Sequence, residues 1–279
     1  MLKKEFKRLT EIINQNEGVI LNMAKRKFQI YRGDGENGRL VNFDIEVKEG
    51  MVVLDVIHKI QAEQANDLAV RWNCKAGKCG SCSMEINGKP KLSCMTRMNE
   101  YEMAETITIT PMKTFPVVKD LVTDVSWNYE QNKRIEPVKL AQESKTEKGF
   151  VMYQEDVDKV QEFRKCIECY LCQNVCHVLR DHDKKDKFVG PRFMIRAAGL
   201  EMHPLDIADR IPALKNNFGS GMCNITRCCT DVCPEHINIT DNGIIPLKER
   251  VVDRYYDPIT IFARKVFGKK RKKLPPLRK

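Results

Sequence analysis

No stretch of this sequence reaches the roughly 18 consecutive apolar residues that a membrane-spanning helix needs. The segment from Met1 to Asn22 lacks the apolar core of a signal peptide and carries acidic residues that a transit peptide avoids. We therefore expect a reducing compartment, where cysteines hold metal more often than they form disulfides. A hydrophobic content of 42% excludes a disordered chain.

Cysteine is absent from most of the chain and concentrated in two blocks. Of the 12 cysteines, the first block holds Cys74, Cys79, Cys82 and Cys94, and the other eight lie between Cys166 and Cys233. The stretch from Pro111 to Asp158 has none. This distribution predicts two cysteine-bearing domains joined by a connector. The boundaries that we expect are an N-terminal extension at 1–23, a first domain at 24–112, a connector at 113–158, a second domain at 159–256 and a basic tail at 257–279.

The periodicity of apolar residues differs between the two blocks. Lys27–Tyr31, Phe43–Val47 and Thr106–Thr110 alternate as half-buried strands do, and Val52–Glu63 has apolar residues on one helical face. Around the second block, proline-separated segments have a helical pattern, at 156–164, 191–200 and 247–255. The predicted fold class is α+β, with an N-terminal β-grasp ferredoxin domain of the plant type followed by an all-α domain of the bacterial ferredoxin type.

The first block has the spacing C-x4-C-x2-C followed by one distant cysteine, which is typical of plant-type [2Fe–2S] sites. The predicted ligands are Cys74, Cys79, Cys82 and Cys94. Gly77 and Gly80 allow positive φ, so that backbone N–H groups can point at the sulfur atoms. Asn87-Gly88 is a hairpin signal that returns the chain to the site. The alternative is structural zinc, which accepts four thiolates but usually pairs two short C-x2-C motifs.

The second block begins with C-x2-C-x2-C-x3-C, the bacterial ferredoxin run whose fourth cysteine ligates the other cluster. Counted back from Cys233-Pro234, a second copy has Thr226 where the middle cysteine would stand. Cross-ligation therefore predicts two clusters with unequal ligand sets. The [4Fe–4S] ligands are Cys166, Cys169, Cys172 and Cys233, and the [3Fe–4S] ligands are Cys176, Cys223 and Cys229.

Cys228 lies one residue outside this register. We expect it to be a small, buried apolar side chain. The alternative is a fourth ligand that makes the third centre a second [4Fe–4S] cluster, and a total of eight cysteines in this block keeps that alternative open.

The residues from Phe28 to Arg250 resemble the iron–sulfur subunit of the succinate dehydrogenase and fumarate reductase family. The resemblance includes Cys74–Gly88, and it extends to Phe115–Asp124 and Arg134–Pro137 in the connector and to Asp186–Pro191. The connector segments matter because they contain no cysteine, so that a shared need to bind metal does not explain their similarity.

The resemblance implies an electron-transfer subunit of succinate:quinone oxidoreductase, without catalytic residues of its own. A separate flavoprotein subunit would oxidise the dicarboxylate at FAD, and membrane anchor subunits, with or without haem b, would exchange electrons with a quinone. It also implies a peripheral position at the cytoplasmic face of the inner (cell) membrane. On the quinone side the chain departs from the best-known members, and the candidate residues there are His177, Arg180 and Asn224. The alternative for His177 and Arg180 is a charged surface loop.

Two other functions stay open. One is a fumarate reductase subunit that is served by a quinol or a soluble donor, because direction depends on cluster potentials. The other is a zinc-bearing nucleic-acid-binding protein, since the net charge is +10. Such a protein needs basic residues interleaved with exposed aromatics or a recognition helix, and the basic tail offers only Phe262 and Phe267. No nucleic acid partner is therefore expected.

Both ends of the chain allow two interpretations. The seven basic residues between Gly268 and Lys279 can lie against anionic lipid headgroups or form a frayed terminus. At the other end, Leu2, Phe6, Leu9 and Ile13 have the spacing of an amphipathic helix that docks on a partner, unless translation starts at Met23.

Overall fold

The computed structural model describes residues 24–142, 145–147 and 149–267. The helix expected within 1–22 and the basic run 268–279 lie outside these residues. The chain divides into two compact units. Unit 1 contains the residues up to Met112 together with Val117–Thr123, and unit 2 contains Lys113–Pro116 and everything from Asp124 onward. The finer boundaries drawn from the sequence remain predictions.

Unit 1 is built on a five-stranded sheet of order β2-β1-β5-β3-β4. Its strands are β1 (Ala24–Arg32), β2 (Arg39–Val47), β3 (Ser83–Ile86), β4 (Lys89–Leu92) and β5 (Ile107–Thr110). Strand β1 pairs antiparallel with β2 and parallel with β5, so the sheet is mixed. Helix α1 (Val53–Glu63) follows β2, and a 3₁₀ turn (Met98–Glu100) precedes β5.

The core of unit 1 follows from the period-two pattern of its strands. Phe28 and Ile30 of β1 are fully buried, and they belong to one apolar cluster with Ile57 and Ile60 of α1. The strands expected at 27–31, 43–47 and 106–110 and the helix expected at 52–63 are therefore confirmed. None of the four cysteines of unit 1 belongs to this cluster.

A two-stranded ribbon, β6 (Val117–Lys119) and β7 (Val122–Thr123), brings part of the expected connector into unit 1. Asp120 in its turn is buried, and its carboxylate accepts hydrogen bonds from the Arg32 side chain and from the N–H groups of Gly33 and Ala69. These bonds fix the ribbon to the end of β1.

Unit 2 is mainly helical. Its helices are α2 (Ser126–Lys133), α3 (Gln154–Arg164), α4 (Leu171–Val175), α5 (His177–Arg180), α6 (Pro191–Glu201), α7 (Ile211–Asn216), α8 (Cys228–Asp231), α9 (Ile245–Tyr255) and α10 (Pro258–Phe267). A short ribbon, β8 (Lys145–Thr146) and β9 (Gly149–Phe150), precedes α3, a 3₁₀ turn (Ser220–Met222) precedes α8, and a π-helical turn (Ile239–Ile244) leads into α9. The helices expected at 156–164, 191–200 and 247–255 and the α+β fold class are confirmed.

Two sets of hydrogen bonds tie the rest of the connector to the helices of unit 2. The N–H and hydroxyl of Thr114 donate to the side-chain and backbone oxygens of Asn174 on α4. Buried Arg210 forms a 2.8 Å ion pair with Asp206 and donates to the carbonyl of Pro137. Hydrogen bonds to buried charged groups are among the stronger ones in proteins, so these contacts hold the segment firmly.

The expectation of a basic tail over 257–279 needs a correction for its first part, because residues 258–267 form helix α10. Ile259, Phe262 and Val266 recur at helical spacing along it, and the side chain of Phe262 is 68% exposed. This apolar periodicity was not part of the expectation, which rested on the basic residues between Gly268 and Lys279. No helix within the described residues has the length and apolar content of a membrane span.

Candidate metal centres

The four cysteines of unit 1 converge between α1 and β4. Cys82 and Cys94 are buried, Cys79 is half-buried and Cys74 is exposed. The thiol of Cys94 lies against Cys82, and the thiol of Cys79 is hydrogen-bonded with that of Cys74. The N–H groups of Ala76 and Lys78 point at Cys74 Sγ, at 3.4 and 3.3 Å. Gly77 and Gly80 have φ of 66° and 70°, as this loop requires.

The electrostatics of this loop suit a group that binds thiolates. Burial and the neighbouring Cys82 raise the pKa of the Cys94 thiol to about 12. Burial also opposes ionisation of Cys79, but hydrogen bonds from Ser81 and from the backbone outweigh it and lower its pKa to about 6. Inward N–H groups stabilise negative charge on sulfur, which is what an iron–sulfur core adds to such a site.

In unit 2, a first cavity of about 340 Å³ lies between the loop before α4 and the segment after α8. Four cysteines line it, Cys166, Cys169, Cys172 and Cys233. Burial raises the pKa of the Cys169 thiol to about 12 and that of Cys172 well above its ordinary value. Thiolates are unstable in such surroundings unless cations compensate them, so the cavity fits a group that contains metal cations.

Arg192 supplies a positive charge beside this cavity. Its side chain is 5% exposed, lines the cavity, and forms an ion pair with Glu168 at 2.5 Å. Burial raises the pKa of the Cys166 thiol, and the guanidinium of Arg192 opposes that rise. Arg192, at the start of α6, therefore stabilises the thiolate form of Cys166.

A second cavity, of about 290 Å³, lies between α5 and α8. Its lining contains Cys176, Cys223, Cys228, Cys229, His177 and Asn224. Burial raises the pKa of Cys229 to about 12 and that of Cys176 to about 11, and the charges of neighbouring cysteines add to both shifts. The structure thus brings together the three cysteines predicted for the third cluster.

The expectation that Cys228 is buried is wrong. Its side chain is half-buried and lines the same cavity as Cys176 and Cys229. The reason is local, because Arg227 adopts a left-handed φ of 65° and α8 begins at the next residue, at the edge of the cavity.

The two cysteine loops of unit 2 repeat one backbone pattern. In the first, Glu168 and Tyr170 have positive φ before α4 begins. In the second, Ile225 and Arg227 have positive φ before α8 begins. Aligned in this way, Thr226 occupies the place of Cys169, which agrees with the register counted in the sequence.

The candidate quinone-side residues do not all come together. His177 and Asn224 line the second cavity, whereas Arg180 is not among its lining residues and lies 3.7 Å from Asp181. The Nε2 atom of His177 is buried and has no hydrogen-bond partner among the described residues. Asn224 is exposed, so the cavity opens to the surface on that side.

Sequence reasoning missed three polar residues around these cavities. They are Arg192, Lys248, whose Nζ donates to the carbonyl of Cys223 at 2.5 Å, and Thr240, whose hydroxyl lies 3.5 Å from Cys229 Sγ. Each comes from an element outside the cysteine loops, and no spacing rule in the sequence points to any of them.

Within the described residues, no three cysteine, histidine or acidic side chains are arranged around a single metal ion. An iron–sulfur core places several irons and sulfides between its thiolates, so the ligands of a cluster need not converge on one ion.

Comparisons with known proteins agree with this division of the chain. The family of 2Fe-2S iron-sulfur cluster binding domains matches residues 27–130, and the family of 4Fe-4S dicluster domains matches residues 162–237. The succinate dehydrogenase iron-sulfur subunit of Paracoccus denitrificans is 32% identical over 235 residues, which cover 82% of this chain and 89% of that protein.

Two further relatives extend the comparison. An uncharacterized iron-sulfur protein of Methanococcus maripaludis is 32% identical over 221 residues, covering 76% of this chain and 42% of that protein. Among solved structures, a chain of the Mycobacterium smegmatis Sdh1 complex in the apo form is 58% identical. The match covers 85% of this chain and 99% of that chain, with a TM-score of 0.83.

Proposed function

This chain belongs to the family of succinate dehydrogenase iron–sulfur subunits, and on that premise we propose which cluster each group of its cysteines holds. The [2Fe–2S] cluster is held by Cys74, Cys79, Cys82 and Cys94. The [4Fe–4S] cluster is held by Cys166, Cys169, Cys172 and Cys233. The [3Fe–4S] cluster is held by Cys176, Cys223 and Cys229. The observation that carries this proposal is the pair of cavities in unit 2, each lined by cysteines from both halves of the second block.

The protein is the electron-transfer subunit of a succinate dehydrogenase complex, and it carries iron–sulfur clusters. The dicarboxylate site and the FAD belong to a partner flavoprotein, and membrane anchor subunits are its other partners. The alternative, a fumarate reductase subunit, gains no support, because the relatives that carry a functional name are succinate dehydrogenase proteins.

When bound, the clusters supply one-electron carriers between the flavin and the quinone. The chain's own residues set the conditions for that transfer. Each site contains at least one buried thiol, and N–H donors at Cys74 and the guanidinium of Arg192 at Cys166 stabilise negative charge. We infer that electrons pass along the [2Fe–2S], [4Fe–4S] and [3Fe–4S] sites in that order.

Three features support a quinone-facing role for the second cavity of unit 2. His177 and Asn224 line it, and His177 Nε2 is available there as a hydrogen-bonding atom. Exposed Met222 and Ile225 border the same loop, which suits contact with an apolar partner. Arg180 lies one turn away on α5, and for it a role toward the quinone or a haem propionate rests on the family resemblance alone.

The subunit is associated with the membrane through its partners. We propose that it lies at the cytoplasmic face. Helix α10, with exposed Ile259 and Phe262 beside Arg264 and Lys265, suits a position near anionic headgroups. Protease treatment tests this: the chain should be cleaved in inverted membrane vesicles and protected in intact spheroplasts, and the opposite pattern would place it on the outer face.

The variant Cys229→Ser tests the ligand assignment of the third centre. The oxidised-state [3Fe–4S] signal in low-temperature EPR should disappear, and succinate:quinone activity should fall to background, because the last carrier is missing. The reduced-state [2Fe–2S] signal should persist. Reduction of a dye that accepts electrons at the flavin should also survive, which shows that the complex is assembled.

A matched control is Cys228→Ser in the neighbouring position, which should keep the [3Fe–4S] signal. If Cys229→Ser retained both this signal and quinone reduction, the ligand set and the proposed order of transfer would be wrong.

A further inference from the structure

The cavity proposed for the third cluster contains one more thiol than its proposed ligand set uses. Cys228 lines this cavity together with Cys176, Cys223 and Cys229. A side chain that only fills space in an apolar core need not line this cavity.

The position of the missing ligand is occupied by Thr226. The repeated backbone pattern of the two loops places it where Cys169 stands in the first loop. Its hydroxyl lies 3.4 Å from Cys228 Sγ, so the spare thiol reaches the same corner of the cavity. A neutral hydroxyl is a weak ligand for iron compared with a thiolate.

We propose that Cys228 is a conditional iron ligand, whose thiolate binds a fourth, ferrous ion at the corner beside Thr226 and so converts the third centre from [3Fe–4S] to [4Fe–4S]. This inference rests on the ligand assignment proposed above and adds a second state to the same site.

The conversion balances without an external oxidant or reductant. The reactants are the one-electron-reduced, neutral [3Fe–4S] core, one Fe²⁺ ion and the thiol of Cys228. Bonds form between the added iron and three core sulfides and between that iron and Cys228 Sγ, and the S–H bond breaks as its proton passes to water. The oxidation states of the irons do not change, since the neutral three-iron core plus Fe²⁺ has the charge of [4Fe–4S]²⁺.

The surroundings allow iron to enter and leave at this corner. Residues Asn224 to Arg227 are exposed and Cys228 is half-buried, whereas Cys229 is buried behind them. Arg227 also lines the cavity, and its guanidinium forms an ion pair with Asp241 at 2.9 Å, so its charge is compensated. Because cluster type and exposure set the potential, the two states would deliver electrons to the quinone at different potentials.

The test uses the whole complex, purified anaerobically, as wild type, Cys228→Ala and Thr226→Ala. Each is reduced, incubated with isotopically labelled Fe²⁺, freed of excess iron and reoxidised mildly. EPR measures the oxidised [3Fe–4S] signal relative to the reduced [2Fe–2S] signal of the same sample, which serves as an internal standard for folding. Mössbauer spectroscopy counts the labelled iron that has entered a cluster.

Wild type and Thr226→Ala should each take up about one labelled iron and lose most of the [3Fe–4S] signal, whereas Cys228→Ala should take up none and keep the signal. The double variant Thr226→Cys, Cys228→Ala restores the ferredoxin register and should regain iron uptake, which shows that the corner itself remains intact.

Two results would overturn the inference: no iron uptake by wild type, or equal uptake by wild type and Cys228→Ala. In both cases the ligand set of the three-iron cluster would stand. If neither protein gave a [3Fe–4S] signal before iron was added, while the [2Fe–2S] signal was normal, the underlying ligand assignment would fail together with the inference.

Discussion

Arg192 shows how one side chain can adjust a site that its cysteines define. It is buried at the start of α6, lines the cavity of the second cluster and is paired on one side with Glu168. A cation beside an anionic core favours the reduced state, because reduction adds negative charge.

We predict that Arg192→Gln lowers the potential of the [4Fe–4S] centre. The loss of about 1 kcal/mol of interaction corresponds to roughly 40 mV for a one-electron couple. Redox titration followed by EPR measures this. Arg196→Gln is the matched control, since Arg196 lies exposed on the same helix and should change the potential little. An unchanged or raised potential in Arg192→Gln would show that its charge does not act on the cluster.

At this scale, spacing alone predicted the cysteines that line the two cavities of unit 2, apart from Cys228. The set of cysteines that begins with Cys166 and the set that begins with Cys176 both follow from the ferredoxin run and its incomplete second copy. Arg192, Lys248 and Thr240 could not be predicted, because tertiary packing brings them to the sulfur atoms from distant elements. The error at Cys228 has a related cause, since the exposure of one side chain depends on where α8 begins.

Among the elements, helix α4 connects the two cavities of unit 2. It spans only Leu171–Val175, contains Cys172 and ends just before Cys176, and these two cysteines line different cavities. Its Gln173 is fully buried, and its side-chain amide donates to the carbonyl of Val189 at 3.0 Å. The position of α4 therefore depends on close packing against the residues before α6.

Gly190, just before α6, packs directly against the side chain of Gln173. It has φ of 85°, and a Cβ at this position would come within 2.0 Å of Gln173 Oε1. We predict that Gly190→Ala destabilises unit 2 by about 3 kcal/mol, through backbone strain together with overpacking. The variant should also displace α4, so the [4Fe–4S] and [3Fe–4S] signals should weaken together.

Gly149→Ala provides the control, because Gly149 has φ of 90° but nothing within 4 Å of its added Cβ. It should cost about 1 kcal/mol from strain alone. Denaturant titrations followed by the visible absorbance of the clusters compare the two. Equal effects of the two substitutions would mean that the contact with Gln173 is unimportant.

The regular elements that could be predicted are those with a strong apolar period. Strands β1, β2 and β5 and helices α1, α3, α6 and α9 agree with the periodicity of the sequence within a few residues. Helices α4, α5 and α8 are too short to show a period, and their starts depend on left-handed residues such as Tyr170 and Arg227, for which the sequence gives no clear signal.

For the molecule as a whole, the two units differ in how their cores relate to the metal. In unit 1 an apolar cluster that includes Phe28 and Ile57 contains none of the four cysteines. In unit 2 the cysteines line cavities between the helices, so loss of the clusters leaves buried thiols and empty space within the packing.

We therefore predict that removal of iron unfolds unit 2 before unit 1. Limited proteolysis during treatment with a chelator and a mild oxidant should first cut within 160–256, while a fragment covering residues 24–112 survives. Hydrogen exchange should show the same order. Earlier cleavage of the first unit would indicate that the β-grasp core depends on its cluster.

The family resemblance could be recognised from the sequence because it extends beyond the cysteines into the connector. The carbonyls of Glu136 and Pro137 in the connector accept hydrogen bonds from buried Arg210. This part of the connector therefore has a structural role that does not involve metal.

The most direct test of the account is chemical and EPR analysis of complex that has been purified without exposure to air. Iron and acid-labile sulfide should be present in the amounts of three clusters, with an oxidised-state [3Fe–4S] signal and a reduced-state [2Fe–2S] signal in the same preparation. A colourless protein that contains zinc and essentially no labile sulfide would contradict it.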